Sequence, residues 1–213
     1  MTRKAAIVLL VVTASVYGCG PTRPSKYYQL RVATAVPPPK AQPAYPVTLL
    51  LGPLAASHLY RQDRLVYGTA NEEMGTYEYQ RWAMPPVEMM QEMLLRDLRL
   101  SGRYQGVHFF TSSAHGDFLL RGHLYDFKEI SGATVLARLT MELELREIRS
   151  GATVWTYFYS HDEPADAKDV PHIVSALNRN AQRCSNEFSA SLDQYFASHP
   201  VQPSPAEAGE LRR

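Results

Sequence analysis

The side chains best suited to chemistry in this 213-residue sequence are two cysteines, Cys19 and Cys184, and seven histidines, and their spacing limits what that chemistry can be. His115-x-Asp117 and His123-x-x-Asp126 are the histidine groupings near an acidic residue, and a two-residue spacing sets His115 and Asp117 on one face of a strand. Metal binding or proton transfer would need such pairs to converge with further ligands or a substrate. Both are read as hydrogen-bonded surface groups at a loop and strand mouth. His161-Asp162-Glu163, followed by Pro164, is read as a polar loop. The sequence holds no G-x-x-x-x-G-K-[ST] phosphate loop, no G-x-S-x-G elbow, no H-E-x-x-H and no Cys-x-x-Cys. No catalytic residue, metal site or cofactor is therefore expected, and the chain is not itself a P-loop ATPase.

Cys19 carries the most information. Arg3 and Lys4 precede the apolar run Ala5 to Val12, and Val16-Tyr17-Gly18-Cys19 closes the leader with a small residue before the thiol. That order marks a secretory signal. It resembles the bacterial lipobox, in which cleavage before the cysteine leaves a residue acylated on its sulfur and on its new amino group. Tyr17 departs from the small residue usual at its position. The uncharged stretch from Ala5 to Gly20 falls short of the ~20 apolar residues of a spanning helix, and Pro21 and Pro24 prevent its extension. Residues 1–18 are thus expected to be a signal peptide, and Cys19 a lipid anchor carrying acyl chains such as palmitate. Gly20 stands where lipoproteins kept at the inner membrane resemble Cys-Asp, which favours the periplasmic face of a Gram-negative outer membrane. Losing Arg3 and Lys4 reduces the 22 basic residues to 20 against 21 acidic ones, a formal charge of −1, so no basic field argues for nucleic acid. Cys184 then has no thiol partner within the chain and is expected in the core of a helix.

Residues 19–46 read as anchor and Pro-rich linker, with seven prolines between Gly20 and Pro46, and are expected to lift the body tens of ångströms off the bilayer at about 3.1 Å per residue. Residues 26–32 interrupt that linker with β-favouring side chains suited to a sheet edge. Residues 47–199 are expected to form one α+β domain, and the Pro-containing stretch 200–213 a disordered tail. Within the domain Val47 to Leu51 reads as a central strand, while 64–67 and 76–82 read as two further strands. Pro85-Pro86 opens a helix closed by Gly102, whose Met89, Met90 and Met93 are assigned to core packing rather than a lipid-contacting patch. Residues 117–130, 133–149 and 152–160 read as an antiparallel meander, dry on the face of Val135, Ala137, Leu139, Met141, Leu143 and Leu145. The stripe Ile173, Leu177, Ala181, Cys184, Phe188 and Leu192 predicts a long helix over 169–197, capped by Asp169, to cover that face. The expected architecture is a mostly antiparallel sheet with two helices packed on one face.

Tyr67, Tyr77, Tyr79 and Trp82 fall on neighbouring expected strands, and Tyr77 with Tyr79 is expected on one face; such aromatics serve either sheet packing or an interface. Lys26-Tyr27-Tyr28-Gln29-Leu30 behind the lipobox, Arg64-Leu65-Val66-Tyr67, Tyr77-Glu78-Tyr79-Gln80-Arg81-Trp82-Ala83 before Pro85-Pro86, and Gly151-x-x-Val154-Trp155 together resemble the ABC-type transport auxiliary lipoproteins. Ala55-Ala56-Ser57 departs from a proline-containing loop seen in many relatives. The resemblance implies a non-catalytic outer-membrane component of a transport system that moves phospholipid or another lipophile. Its partners would be a mammalian-cell-entry (MCE) type periplasmic substrate-binding protein with its ABC permease and ATPase, and the membrane through the acyl chains on Cys19. Tyr77, Tyr79 and Trp82 are the candidate partner contacts. A homo-oligomer is compatible with the sequence. The other reading from the same residues is an envelope-assembly or structural lipoprotein that braces an outer-membrane barrel.

Overall fold

A computed structural model describes residues 23–31, 43–69 and 73–200. The leader, Cys19, most of the Pro-rich linker and the tail 201–213 lie outside the described residues. The strands are β1 (Lys26–Tyr28), β2 (Tyr45–Ala56), β3 (Arg64–Gly68), β4 (Met74–Trp82), β5 (Tyr104–Phe109), β6 (Phe118–Ile130), β7 (Leu136–Glu147) and β8 (Thr153–Pro164). The helices are α1 (Pro86–Ser101) and α2 (Val170–Ser198), with a 3-10 turn at His58–Arg61. The fold is α+β, as expected.

The sheet is built around β6. One edge of β6 pairs antiparallel with β7 along its length, and β7 pairs antiparallel with β8. Its other edge is shared: β2 lies parallel to the first half, from Leu49 opposite Phe118 to Ala56 opposite Leu124, and β3 lies parallel to the end, with Tyr67 opposite Glu129. The sheet therefore forks. Beyond β2 comes β5, parallel; beyond β3 come β4, antiparallel, and then β1, parallel. The sheet is mixed rather than purely antiparallel. The largely apolar run Val47 to Leu51, broken only by Thr48, suits this position, because a strand between two parallel neighbours is buried on both sides. His161 to Glu163, expected in a loop, extend β8 instead, paired with Leu139 to Ala137.

Alternation along β7 buries Ala137, Leu139, Met141, Leu143 and Leu145 completely, while Arg138, Glu142 and Glu144 between them stay partly exposed and Thr140 is buried as well. α2 covers the dry face through Ile173, Leu177, Ala181, Cys184, Phe188 and Leu192, each 2 % exposed or less. Full burial of a Leu, Ile or Phe side chain stabilises the fold by about 1.5–3 kcal/mol. At 1.5 Å per residue, the 29-residue helix is about 43 Å long. The Asp169 carboxylate accepts the His172 backbone N–H at 3.0 Å and caps its start. α1 packs on β2 and β5 with Met89, Met90 and Met93 buried, and stops at Gly102, whose φ of 58° suits a residue without Cβ. The Ser185 hydroxyl donates to Asp97 and ties the two helices together.

Asn180 interrupts the apolar stripe of α2, yet is fully buried. Its amide donates to the carbonyls of Ala137 and His161, both at 2.8 Å, and its oxygen accepts the Tyr159 hydroxyl at 2.6 Å. A buried amide with all three partners locks the axial position of the helix against two strands.

Candidate functional site

The aromatic edge at β3 and β4 is built on an irregularity. β4 takes five steps, Thr76 to Arg81, where β3 takes two, Val66 to Arg64. The surplus of three is odd, so the alternation of faces reverses inside β4. Tyr77 and Trp82 consequently reach the same side of β6: the Tyr77 hydroxyl bonds Glu129 at 2.6 Å, and the Trp82 ring packs on Phe127 with centroids 5.4 Å apart. Tyr67 meets Tyr77 edge-on at 5.3 Å. Gly75 makes room for it, since a Cβ there would lie 2.5 Å from the Tyr67 hydroxyl oxygen.

Glu129 is 5 % exposed, and its second oxygen accepts the Ser131 hydroxyl at 2.7 Å. Burial foremost, and then the carboxylate of Glu129, raise the phenol pKa of Tyr77. Tyr79 is placed elsewhere. Its ring lies under the Arg23 guanidinium at 5.7 Å, and a hydrogen bond to Glu78 is the main cause of its raised pKa. Trp82 is 1 % exposed and its indole N–H meets no acceptor. Of the three expected contact residues, then, Tyr77 and Tyr79 line the edge and Trp82 is enclosed beneath it. Among the described residues no strand pairs with Met74 to Tyr79 on the outer side of β4, because β1 covers only Gln80 to Trp82.

The helix-free face of the sheet carries charges that satisfy one another. Arg121 pairs with Glu144, Lys128 with Asp126 at 2.6 Å, and Arg138 holds Asp162 through two bonds of 2.8 and 2.7 Å. The Arg138 hydrogen bond lowers the Asp162 pKa. Tyr125 donates to Glu142 at 2.9 Å and stacks on His123 at 4.4 Å. A groove of about 530 Å³ runs between Pro53, Phe110, Leu119 and His123, and Phe158 stands 63 % exposed beside it.

The histidine groupings do not assemble a reaction centre here. Asp117 accepts the Thr48 backbone N–H at 2.7 Å, Asp126 is held by Lys128 and by the Tyr60 hydroxyl at 3.3 Å, and Glu163 pairs with Arg179 at 3.0 Å. Among the described residues no group of three His, Cys, Asp or Glu side chains converges as a metal site would. Burial pushes the Cys184 thiol pKa far up, so it packs as a small apolar side chain. Sequence reasoning missed Glu129 and Asn180. For Asn180 a signal existed, a polar residue on an apolar stripe; for Glu129 it was hidden by the alternation shift at Tyr125 in β6. Among the described residues no helix is long and apolar enough to cross a membrane.

The model of the ABC-type transport auxiliary lipoprotein component family matches residues 28–188, from the last residue of β1 through about two thirds of α2. No curated protein matches significantly. Among solved structures, protein XCC0632 from Xanthomonas campestris, described as DUF330, is 17% identical with a TM-score of 0.68, covering 77% of this chain and 92% of its own. A hypothetical protein from Chlamydia trachomatis, CT253, is 9% identical with a TM-score of 0.54, covering 72% of this chain and 99% of its own. At these identities the likeness establishes the shared fold.

Proposed function

This chain belongs to the ABC-type transport auxiliary lipoprotein component family, and from that premise we propose that it is a non-catalytic lipoprotein of the outer membrane serving an MCE-linked ABC system that moves phospholipid or another lipophile across the periplasm. The observation that carries the reading is the extent of the family match, which runs from the last residue of β1 through β2 to β8 and about two thirds of α2. Cys19, acylated behind its leader, would hold the domain at the periplasmic face. The domain would then dock the MCE-type substrate-binding protein, which the permease and ATPase supply with energy.

The docking contact is assigned to the outer edge of β4 from Met74 to Tyr79. An edge strand with free backbone groups accepts a partner strand, and aromatic side chains add contact area. Tyr77 and Tyr79 make the contact, and Trp82 supports their backbone from inside. Affinity purification of the acylated chain from crosslinked envelopes, beside Cys19→Ala, tests the reading. Recovery of an MCE protein with permease and ATPase supports it. Recovery of a barrel protein alone overturns it in favour of the bracing role, and recovery of no partner overturns it outright.

A further inference from the structure

The Pro-rich linker does not separate anchor from body. β1 is already part of the sheet, with Lys26, Tyr27 and Tyr28 paired to Gln80, Arg81 and Trp82, and the backbone N–H of Ala83 donates to the carbonyl of Tyr28 at 2.6 Å. Arg23, three residues earlier, already lies against the body over the Tyr79 ring. Only four peptide steps remain between Cys19 and Arg23, which reach at most about 14 Å when fully extended. The prolines from Pro37 to Pro43 fall after β1 and connect it to β2, so they add nothing to the tether.

From this we infer that the outer side of β1, formed by Arg23, Lys26 and Tyr27, rests on the phospholipid headgroups of the membrane that holds the lipid of Cys19. This rests on the anchor assigned to Cys19 in the proposed function. The chemistry of the edge suits headgroups. Residues 23–31 contain Arg23, Lys26 and Arg31 and no acidic residue, and Arg23 and Lys26 are exposed. The nearby Arg81 is neutralised by Asp63 at 2.8 Å, and Glu78 bonds Tyr79. Tyr27 is 65 % exposed, the most exposed large hydrophobic side chain among the described residues, at the place where the chain leaves the body toward its anchor. Tyrosine settles at the water–membrane boundary, and cations there attract the phosphates. The docking edge of β4 therefore stands next to the bilayer rather than tens of ångströms from it.

Acylated full-length Tyr27→Cys and Phe158→Cys proteins, spin-labelled and reconstituted into vesicles of phosphatidylethanolamine and phosphatidylglycerol with a nickel-chelating lipid, test this. Phe158 lies on β8, at the far side of the sheet, and buried Cys184 takes no label. Nickel at the headgroups is expected to enhance relaxation at position 27 several-fold over position 158, and Arg23→Glu with Lys26→Glu is expected to remove most of that difference. Lys26→Cys serves as a second reporter should the label at 27 perturb folding. Equal relaxation at 27 and 158 with Cys19 acylated, as read by mass spectrometry, overturns the inference and leaves the anchor standing. An unacylated Cys19 overturns both.

Discussion

The Tyr77 hydroxyl donates to the Glu129 carboxylate at 2.6 Å and thereby joins β4 to β6 across the intervening β3. The bond lies within the branch of the sheet that carries β3, β4 and β1. Because Glu129 is 5 % exposed, its charge depends on the two hydroxyls of Tyr77 and Ser131 for compensation.

Tyr77→Phe should therefore destabilise the domain by about 1–3 kcal/mol, the cost of leaving a buried acceptor short of a donor. Urea denaturation measures it. A loss no larger than that of an exposed substitution such as Phe158→Ser would show that solvent replaces the phenol.

Asn180→Ala should cost more, about 3 kcal/mol or above, because it strips the carbonyls of Ala137 and His161 and the hydroxyl of Tyr159 at once. Tyr159→Phe, which leaves the two carbonyls bonded, should cost less. The reverse order in chemical denaturation would argue that the amide does not hold the helix.

At Trp82 the two losses separate. Trp82→Phe removes an indole N–H that has no acceptor, and should cost less than about 1.5 kcal/mol despite the smaller ring, while Trp82→Ala should cost about 3–5 kcal/mol through the cavity left against Phe127. Thermal unfolding distinguishes them. Near-equal losses would mean that the indole nitrogen is satisfied in solution.

Alkali should unfold the protein through its buried phenols. Burial foremost raises the pKa of Tyr60, Tyr104 and Tyr159 above 10.0 in the folded state. The protonated phenol is thus favoured by folding: this contribution is fully present below about pH 10 and is lost as pH rises toward the folded values. The melting temperature should hold to about pH 10 and then fall steeply. A flat profile to pH 12 would contradict it.

Tyr79→Glu is the clean probe of docking. Tyr79 lies at the edge under Arg23, so the change should abolish recovery of the periplasmic partner while thermal unfolding stays unchanged. Tyr77→Glu should instead unfold the edge, since it sets a second carboxylate against Glu129. Partner recovery undiminished in Tyr79→Glu would remove this edge from the docking surface.

Periodicity alone was enough to read β7, α1 and α2 and the face each buries, because alternating or helical spacing of large apolar residues reports local geometry directly. The leader before Cys19 is likewise a local pattern, but it lies outside the described residues. Other features depend on residues far apart in the chain. β5 was not anticipated, since Tyr-Gln-Gly-Val-His-Phe carries no clear alternation and becomes a strand only against Thr48 to Leu51. The parallel placement of β2 and β3 on a single edge of β6, the odd surplus that turns Tyr77 and Trp82 toward one side, and the pairing of β1 with Gln80 to Trp82 are registers. A register is decided by which strand lies alongside and how its carbonyls and amides line up, and no local stretch of sequence contains that.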